Sequence, residues 1–137
     1  SSGGLTVRGH IKGKDGVYAA ALLVEMMCVI GTSLSDILAQ IKDEFGPHEM
    51  AELSAEFDKN RKGEIYRILM VDKQLPDFGM EIEKVSYNDG CKVYFKNGGF
   101  IISRFSGTEP LLRIFCELDS MQHAEDTIKI MSDFLKL

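Results

Sequence analysis

In the first third of the chain, apolar residues recur with the spacing of α-helices. After it, segments with helical spacing and segments with the alternation of β-strands follow one another. Residues 14–30 are apolar on nearly every face, which is typical of a helix buried on all sides. Gly31 ends that pattern, and Ser33 with Asp36 predicts the N-cap of a second helix. Gly46 and Pro47 then stop the second helix. The sequence therefore predicts a loop followed by two helices over residues 1–46.

Residues 47–137 predict an α+β domain. Leu53, Ala55 and Phe57 alternate with polar neighbours as in a half-buried strand, and a helix is predicted at about 61–73. Short strands are predicted at about 80–87, 92–96, 100–105 and 111–118, separated by turn signals at 88–90 and 97–99. A closing amphipathic helix starts at Ser120. This order predicts an antiparallel sheet of four to five strands with two helices on one face.

The first helix is too apolar for a surface position, so we expect that its natural partners lie outside this sequence. The sequence thus predicts a fragment of a larger protein, with one domain at 47–137 and the tail of a preceding domain at 1–46.

Composition narrows the class of partner and the compartment. The 137 residues are 45% hydrophobic and 27% charged, with a net charge of −5, which argues against nucleic acid as a general partner. The three cysteines (Cys28, Cys91 and Cys116) have apolar neighbours and no metal-ligand spacing, so we expect core thiols of a reducing compartment. No membrane segment is predicted, since the longest apolar stretch is interrupted by Glu25. We therefore expect a cytoplasmic protein.

The segment 104–110 has the composition of an anion-binding turn. It reads Arg-Phe-Ser-Gly-Thr-Glu-Pro between two predicted strands. Such a turn can direct backbone N–H groups and hydroxyls at one point, and a guanidinium fork suits phosphate oxygens. From the residues alone, an ordinary hairpin turn with an exposed arginine is an equally good interpretation.

Two motifs resemble the α-D-phosphohexomutases, in the phosphoglucomutase/phosphomannomutase branch. Residues 104–113 (RFSGTEPLLR) resemble the phosphate-binding loop of that family, and residues 2–5, 8–11 and 13–16 resemble the sugar-recognition loop of its third domain. The resemblance implies that the chain holds the end of the third domain and the whole fourth domain, which has a TATA-box-binding-protein-like fold. It implies an isomerase that moves phosphate between the C1 and C6 hydroxyls of a hexose. The steps use a phosphoserine and a glucose 1,6-bisphosphate-type intermediate.

The resemblance also implies roles for individual residues. Arg104, Ser106, Gly107 and Thr108 would bind the non-reacting phosphate, and Ser2, His10 and Lys14 would contact the substrate. Gly107 would be required for close approach or for a positive φ. We expect Glu109 to be structural, and Arg113 to pair with Glu117 or Glu109 rather than bind ligand.

The other catalytic parts implied by the family are not found in this sequence. No aspartate-rich loop suited to Mg²⁺ and no catalytic serine motif occurs in this sequence. We therefore predict no catalytic residue and no metal ligand within the chain. The implied partners are a phosphorylated hexose and the other domains of the parent chain, and the fragment alone is expected to be inactive. Phosphoglucosamine mutase is an alternative within the family. A stand-alone anion- or nucleic-acid-binding α+β module is the alternative from another class.

Overall fold

The computed structural model describes residues 4–107 and 109–137 and divides the chain into two compact units, Ser1–Phe45 and Gly46–Leu137. Within the described residues, the helices are α1 (Gly16–Ile30), α2 (Leu34–Phe45), α3 (Lys62–Tyr66) and α4 (Met121–Leu135). The strands are β1 (Glu49–Glu56), β2 (Ile82–Ser86), β3 (Cys91–Phe95), β4 (Phe100–Phe105) and β5 (Leu111–Leu118). The α+β class expected from the sequence is confirmed.

In the first unit, α1 has well-defined ends but no buried residue. The Asp15 carboxylate accepts hydrogen bonds from the N–H groups of Val17 and Tyr18, and Gly31 closes the helix in the left-handed region. Val17 and Val29 are 85% and 79% exposed. Helix α1 thus has the composition of a helix that is buried on all sides, although its side chains are exposed here.

Among the described residues, no single helix is long and apolar enough to cross a membrane. Only α1 and α2 taken together reach that length and composition, and they are bent by 80° at the break between them.

The second unit is a five-stranded antiparallel sheet with the order β1-β5-β4-β3-β2. One face is apolar and buried, because inward residues of neighbouring strands share register, as in Ala51↔Cys116 and Cys116↔Ile101. Residues of both helical segments join this core: Ile65 and Leu69 after β1, and Ala124, Ile128, Met131 and Leu135 of α4. The helices therefore share one face, as predicted, and the opposite face of the sheet is open.

Two predicted elements differ from the structure by more than one residue at an end. The helix expected at 61–73 is a 3₁₀ turn (Lys59–Arg61), the short helix α3 and a π turn (Arg67–Val71) in succession. It ends because Lys73 adopts a left-handed φ of 52°. Strand β2 is shorter than the predicted 80–87, and within it the pairing with β3 shifts register between Ile82 and Lys84.

Candidate phosphate site

The turn between β4 and β5 is closed by its own hydrogen bonds. The Ser106 N–H donates to the Leu111 carbonyl at 2.8 Å, and the Glu109 N–H donates to Ser106 Oγ at 3.4 Å. At the base of the turn, the Phe57 N–H donates to the Pro110 carbonyl at 3.2 Å. Ser106 Oγ accepts within the turn and keeps its own hydrogen for another acceptor.

Arg104 lies near the end of β4, on the open face of the sheet, and is 57% exposed. Its Nε is 3.1 Å from Asp89 Oδ1. The turn that carries Asp89 comes this close because of Gly90, where φ is 90° and a Cβ would overlap the Ser103 carbonyl oxygen. Asp89 thus orients the guanidinium through Nε, and Nη1 and Nη2 make no contact among the described interactions. The sequence showed residues 88–90 only as a turn.

Arg113 is the cross-strand partner of Arg104. Both are exposed and lie on the open face, because opposite residues of an antiparallel pair point the same way. Within the described residues Arg113 makes no ion pair. Its expected partner Glu117 instead lies 3.4 Å from His48 Nδ1. The ion pair predicted for Arg113 with Glu117 or Glu109 is therefore not found among the described residues, and the hairpin places the two arginines opposite each other.

Gly107 is exposed, its φ is not in the positive region, and a Cβ there would meet nothing within 4 Å. The suggested need for a positive φ is therefore wrong for this residue. Gly107 lines a cavity of about 270 Å³, so open space beside the turn remains as the reason for a residue without a side chain. Thr108 lies outside the described residues.

The predicted sugar-contacting residues belong to the first unit. His10 Nε2 is 2.8 Å from Asp15 Oδ2, and the His10 ring stacks on Tyr18 with 4.0 Å between centroids. The Tyr18 N–H and then the His10 side chain hold the pKa of Asp15 below its usual value. The structure thus joins His10 to the cap of α1. The Lys14 side chain packs against Gly4, and Ser2 lies outside the described residues.

No group of three or more His, Cys, Asp or Glu side chains that could hold a metal ion occurs in the part of the chain that the structure describes. A second cavity, of about 430 Å³, lies between β1 and α4. Its lining is mainly apolar (Met50, Leu53, Met121, Ile128). The charged residues that line it are two acidic ones and one basic one (Glu52, Glu125 and Lys129). The cavity beside Gly107, which is part of the hairpin turn itself, is therefore the better candidate for an anion.

An antiparallel α+β sheet with paired arginines beside a Ser-Gly hairpin turn is an arrangement suited to binding an anion. The sequence model described as phosphoglucomutase/phosphomannomutase, C-terminal domain, matches residues 38–133, and that of alpha/beta/alpha domain III matches residues 1–45. The chain belongs to the phosphoglucomutase/phosphomannomutase family. The family membership inferred from the two sequence motifs is confirmed.

Three curated relatives are similar over most of this chain. A phosphoglucomutase/phosphomannomutase of Thermococcus kodakarensis is 26% identical over 98% of the chain. A probable phosphoglucosamine mutase of Methanopyrus kandleri is 33% identical over 82%, and a phosphoglucosamine mutase of Solibacter usitatus is 26% identical over 98%. The matches span 28%, 23% and 26% of these relatives, so the chain corresponds to about a quarter of their length.

Proposed function

We propose that this chain supplies the phosphate-clamping domain, at 47–137, and part of the sugar-binding domain, at 1–46, of a phosphohexomutase. The whole protein would interconvert hexose 1-phosphate and hexose 6-phosphate through a phosphoserine and a bisphosphorylated sugar. The observation that carries the proposal is the Arg104–Arg113 pair on the open face, next to the turn at 106–110. Phosphoryl transfer depends on positioning and charge stabilisation, so a clamp on the non-reacting phosphate is a complete role for one domain.

The chemistry of the clamp follows from the donors of the turn. Nη1 and Nη2 of Arg104, oriented by Asp89, would donate to phosphate oxygens, and Arg113 would donate from the neighbouring strand. The Ser106 hydroxyl would donate its hydrogen while its oxygen holds the Glu109 N–H. Gly107 and Thr108 would supply backbone N–H groups. His10, Lys14 and Ser2 remain proposed contacts to the substrate.

The family implies Mg²⁺, and the described residues do not form a site for it. We therefore assign its ligands to other parts of the parent protein and no step to this chain. Glucose and mannose phosphates are the first choice of substrate. Glucosamine phosphate is the second, and the names of two relatives favour it. A cytoplasmic location is part of the proposal, supported by the buried free thiols of Cys91 and Cys116.

The alternative of a nucleic-acid-binding module would require exposed aromatic rings on the open face for base stacking. Tyr94 and Phe100 lie on that face but are only partly exposed. Lys92 Nζ lies 3.7 Å from the centroid of the Phe100 ring and 4.7 Å from that of Tyr94. The lysine occupies the ring surface that a base would need, which favours the phosphate clamp.

Titration of the isotope-labelled 137-residue chain with inorganic phosphate and with glucose 1,6-bisphosphate tests the proposal by amide shifts. We expect shifts at residues 104–113. Arg104→Gln and Arg113→Gln should each weaken binding by about 1–3 kcal/mol, because each removes a charge-assisted contact.

Arg67→Gln is a matched control, since Arg67 Nε contacts Asp72 at 3.2 Å much as Arg104 contacts Asp89, but away from the turn. Binding by this control should equal that of the parent chain. Shifts that avoid residues 104–113, or equal losses in all three variants, would contradict the clamp.

A further inference from the structure

The cavity beside the turn has a second cationic wall. It is lined by Lys59, Lys62, Gly107, Glu109 and Pro110. The two lysines come from the 3₁₀ turn and the start of α3, on the helix side of the sheet, whereas Arg104 and Arg113 lie on the open face. Positive charge therefore approaches the turn at 106–110 from two directions.

The backbone that carries these lysines is fixed in place. Asp58 Oδ1 accepts from the Asn60 N–H at 2.8 Å and caps the 3₁₀ turn. Arg61 reaches to the end of α4, where it donates to the carbonyls of Lys136 and Leu135 at 2.8 and 3.0 Å. Together with the Phe57–Pro110 hydrogen bond, these contacts hold the lysine segment against the turn.

The side chains of Lys59 and Lys62 form no ion pair with a carboxylate in the part of the chain that the structure describes. Arg61, which lies between them, pairs with Glu64 at 3.2 Å. Lys62 Nζ lies 6.0 Å from the centroid of the Phe105 ring, at the edge of the cavity. Glu109 lines the same cavity and opposes an anion, but the two ammonium groups outnumber its single charge.

We propose that Lys59 and Lys62 are further phosphate-binding residues, which contact the phosphate group of the substrate from the helix side of the turn. The proposal rests on the function proposed above and extends its site. The ligand is a phosphate monoester dianion, and the lysines recognise its charge rather than the sugar. Because an ammonium group is a compact charge on a flexible stem, it can meet the phosphate without the fixed geometry that the arginines impose.

The test compares Lys59→Gln/Lys62→Gln with the parent chain by amide shifts at Gly107 and Glu109. The titrants are inorganic phosphate and glucose 6-phosphate at one ionic strength. We expect both ligands to bind roughly 3- to 20-fold more weakly, the range for losing two solvent-exposed charge contacts. Lys59→Arg/Lys62→Arg should restore the affinity.

The control Lys84→Gln/Lys129→Gln removes the same charge from exposed lysines of β2 and α4 and should bind as the parent chain does. If the double variant loses its dispersed spectrum, the single variants carry the test.

If the double variant binds both ligands as the parent chain does, while Arg104→Gln binds more weakly, the role proposed for Lys59 and Lys62 is wrong and the phosphate clamp stands. A loss for glucose 6-phosphate alone would also overturn that role, because the lysines would then recognise the sugar. No shift at residues 104–113 of the parent chain would instead overturn the clamp itself.

Discussion

Two arginines opposite each other across a hairpin cost free energy unless something negative lies near them. The carboxylate of Asp89 lies beside Nε of Arg104 and so offsets the charge of one of the two arginines. Arg113 has no such partner among the described residues, and the neighbouring Glu117 is taken up by His48. Arg113 thus has a positive charge without an ion-pair partner among the described residues, as an anion site requires before its ligand arrives.

Gly107 separates a binding role from a folding role at the level of one residue. Gly107→Ala should leave the free energy of unfolding within about 0.5 kcal/mol of the parent, because the added Cβ meets no atom and the backbone is not strained. It should still weaken phosphate binding, since the methyl group enters the cavity that the turn shares with the lysines. Chemical denaturation and the phosphate titration measure the two effects.

Gly90→Ala is the contrasting variant, with a left-handed φ and a Cβ that would overlap the Ser103 carbonyl oxygen. It should destabilise the domain by about 1–3 kcal/mol. An unfolding midpoint for Gly107→Ala as low as that of Gly90→Ala would show that Gly107 is needed for folding instead.

At the scale of elements, the sequence predicted the strands best where apolar alternation and turn residues agree. The bounds of β4 and β5 match the expected 100–105 and 111–118, because both strands are mainly apolar and turn residues separate them from the neighbouring elements. Prediction was poorest at 59–73, where 3₁₀, α and π turns share one apolar stripe that periodicity alone cannot divide.

The two arginines of the site could have been paired from the predicted strands. In an antiparallel hairpin the indices of opposite residues have a constant sum, so Phe105 opposite Leu112 implies Arg104 opposite Arg113. Lys59 and Lys62 had no comparable signal. Their position beside the turn depends on how the segment after β1 folds back, which is fixed by the contacts of Arg61 with the end of α4.

The inward faces of β3 and β5 can be tested through their thiols. Cys91 and Cys116 are both 0% exposed, and burial raises the pKa of Cys91 to about 11 and that of Cys116 to about 12. A thiol reagent at pH 8 should therefore modify the exposed Cys28 rapidly, and Cys91 and Cys116 only after unfolding. Peptide mass analysis after timed labelling distinguishes the three.

The same shifts predict the dependence of stability on pH. Both thiols have folded pKa values above the ordinary 9.0. The contribution of the protonated, buried thiols to the free energy of unfolding is therefore fully present below pH 9. It is lost as the pH rises from 9 towards 11–12, where the unfolded chain releases protons that the folded chain retains.

In the labelling experiment, rapid modification of Cys91 or Cys116 in the folded protein would show that the strand faces are assigned incorrectly.

At the scale of the molecule, the two units differ in what holds them together. The unit Gly46–Leu137 contains the sheet and the buried core, whereas α1 of the other unit has no buried side chain. A chain beginning at His48 keeps β1 and the His48–Glu117 contact, so it should fold by itself, with a denaturation midpoint close to that of the full chain.

The exposed apolar surface of α1 should decide the state of association. Large exposed apolar patches favour self-association, so the 137-residue chain should form oligomers as its concentration rises, and the chain beginning at His48 should stay monomeric. Val17→Lys/Val29→Lys in the full chain should also restore the monomer, because both side chains are largely exposed on α1. Light scattering after size exclusion gives the mass of each species. If the chain beginning at His48 still dimerised, the contact would belong to the phosphate-binding domain, and the open sheet face with its paired arginines would have to be considered as the interface.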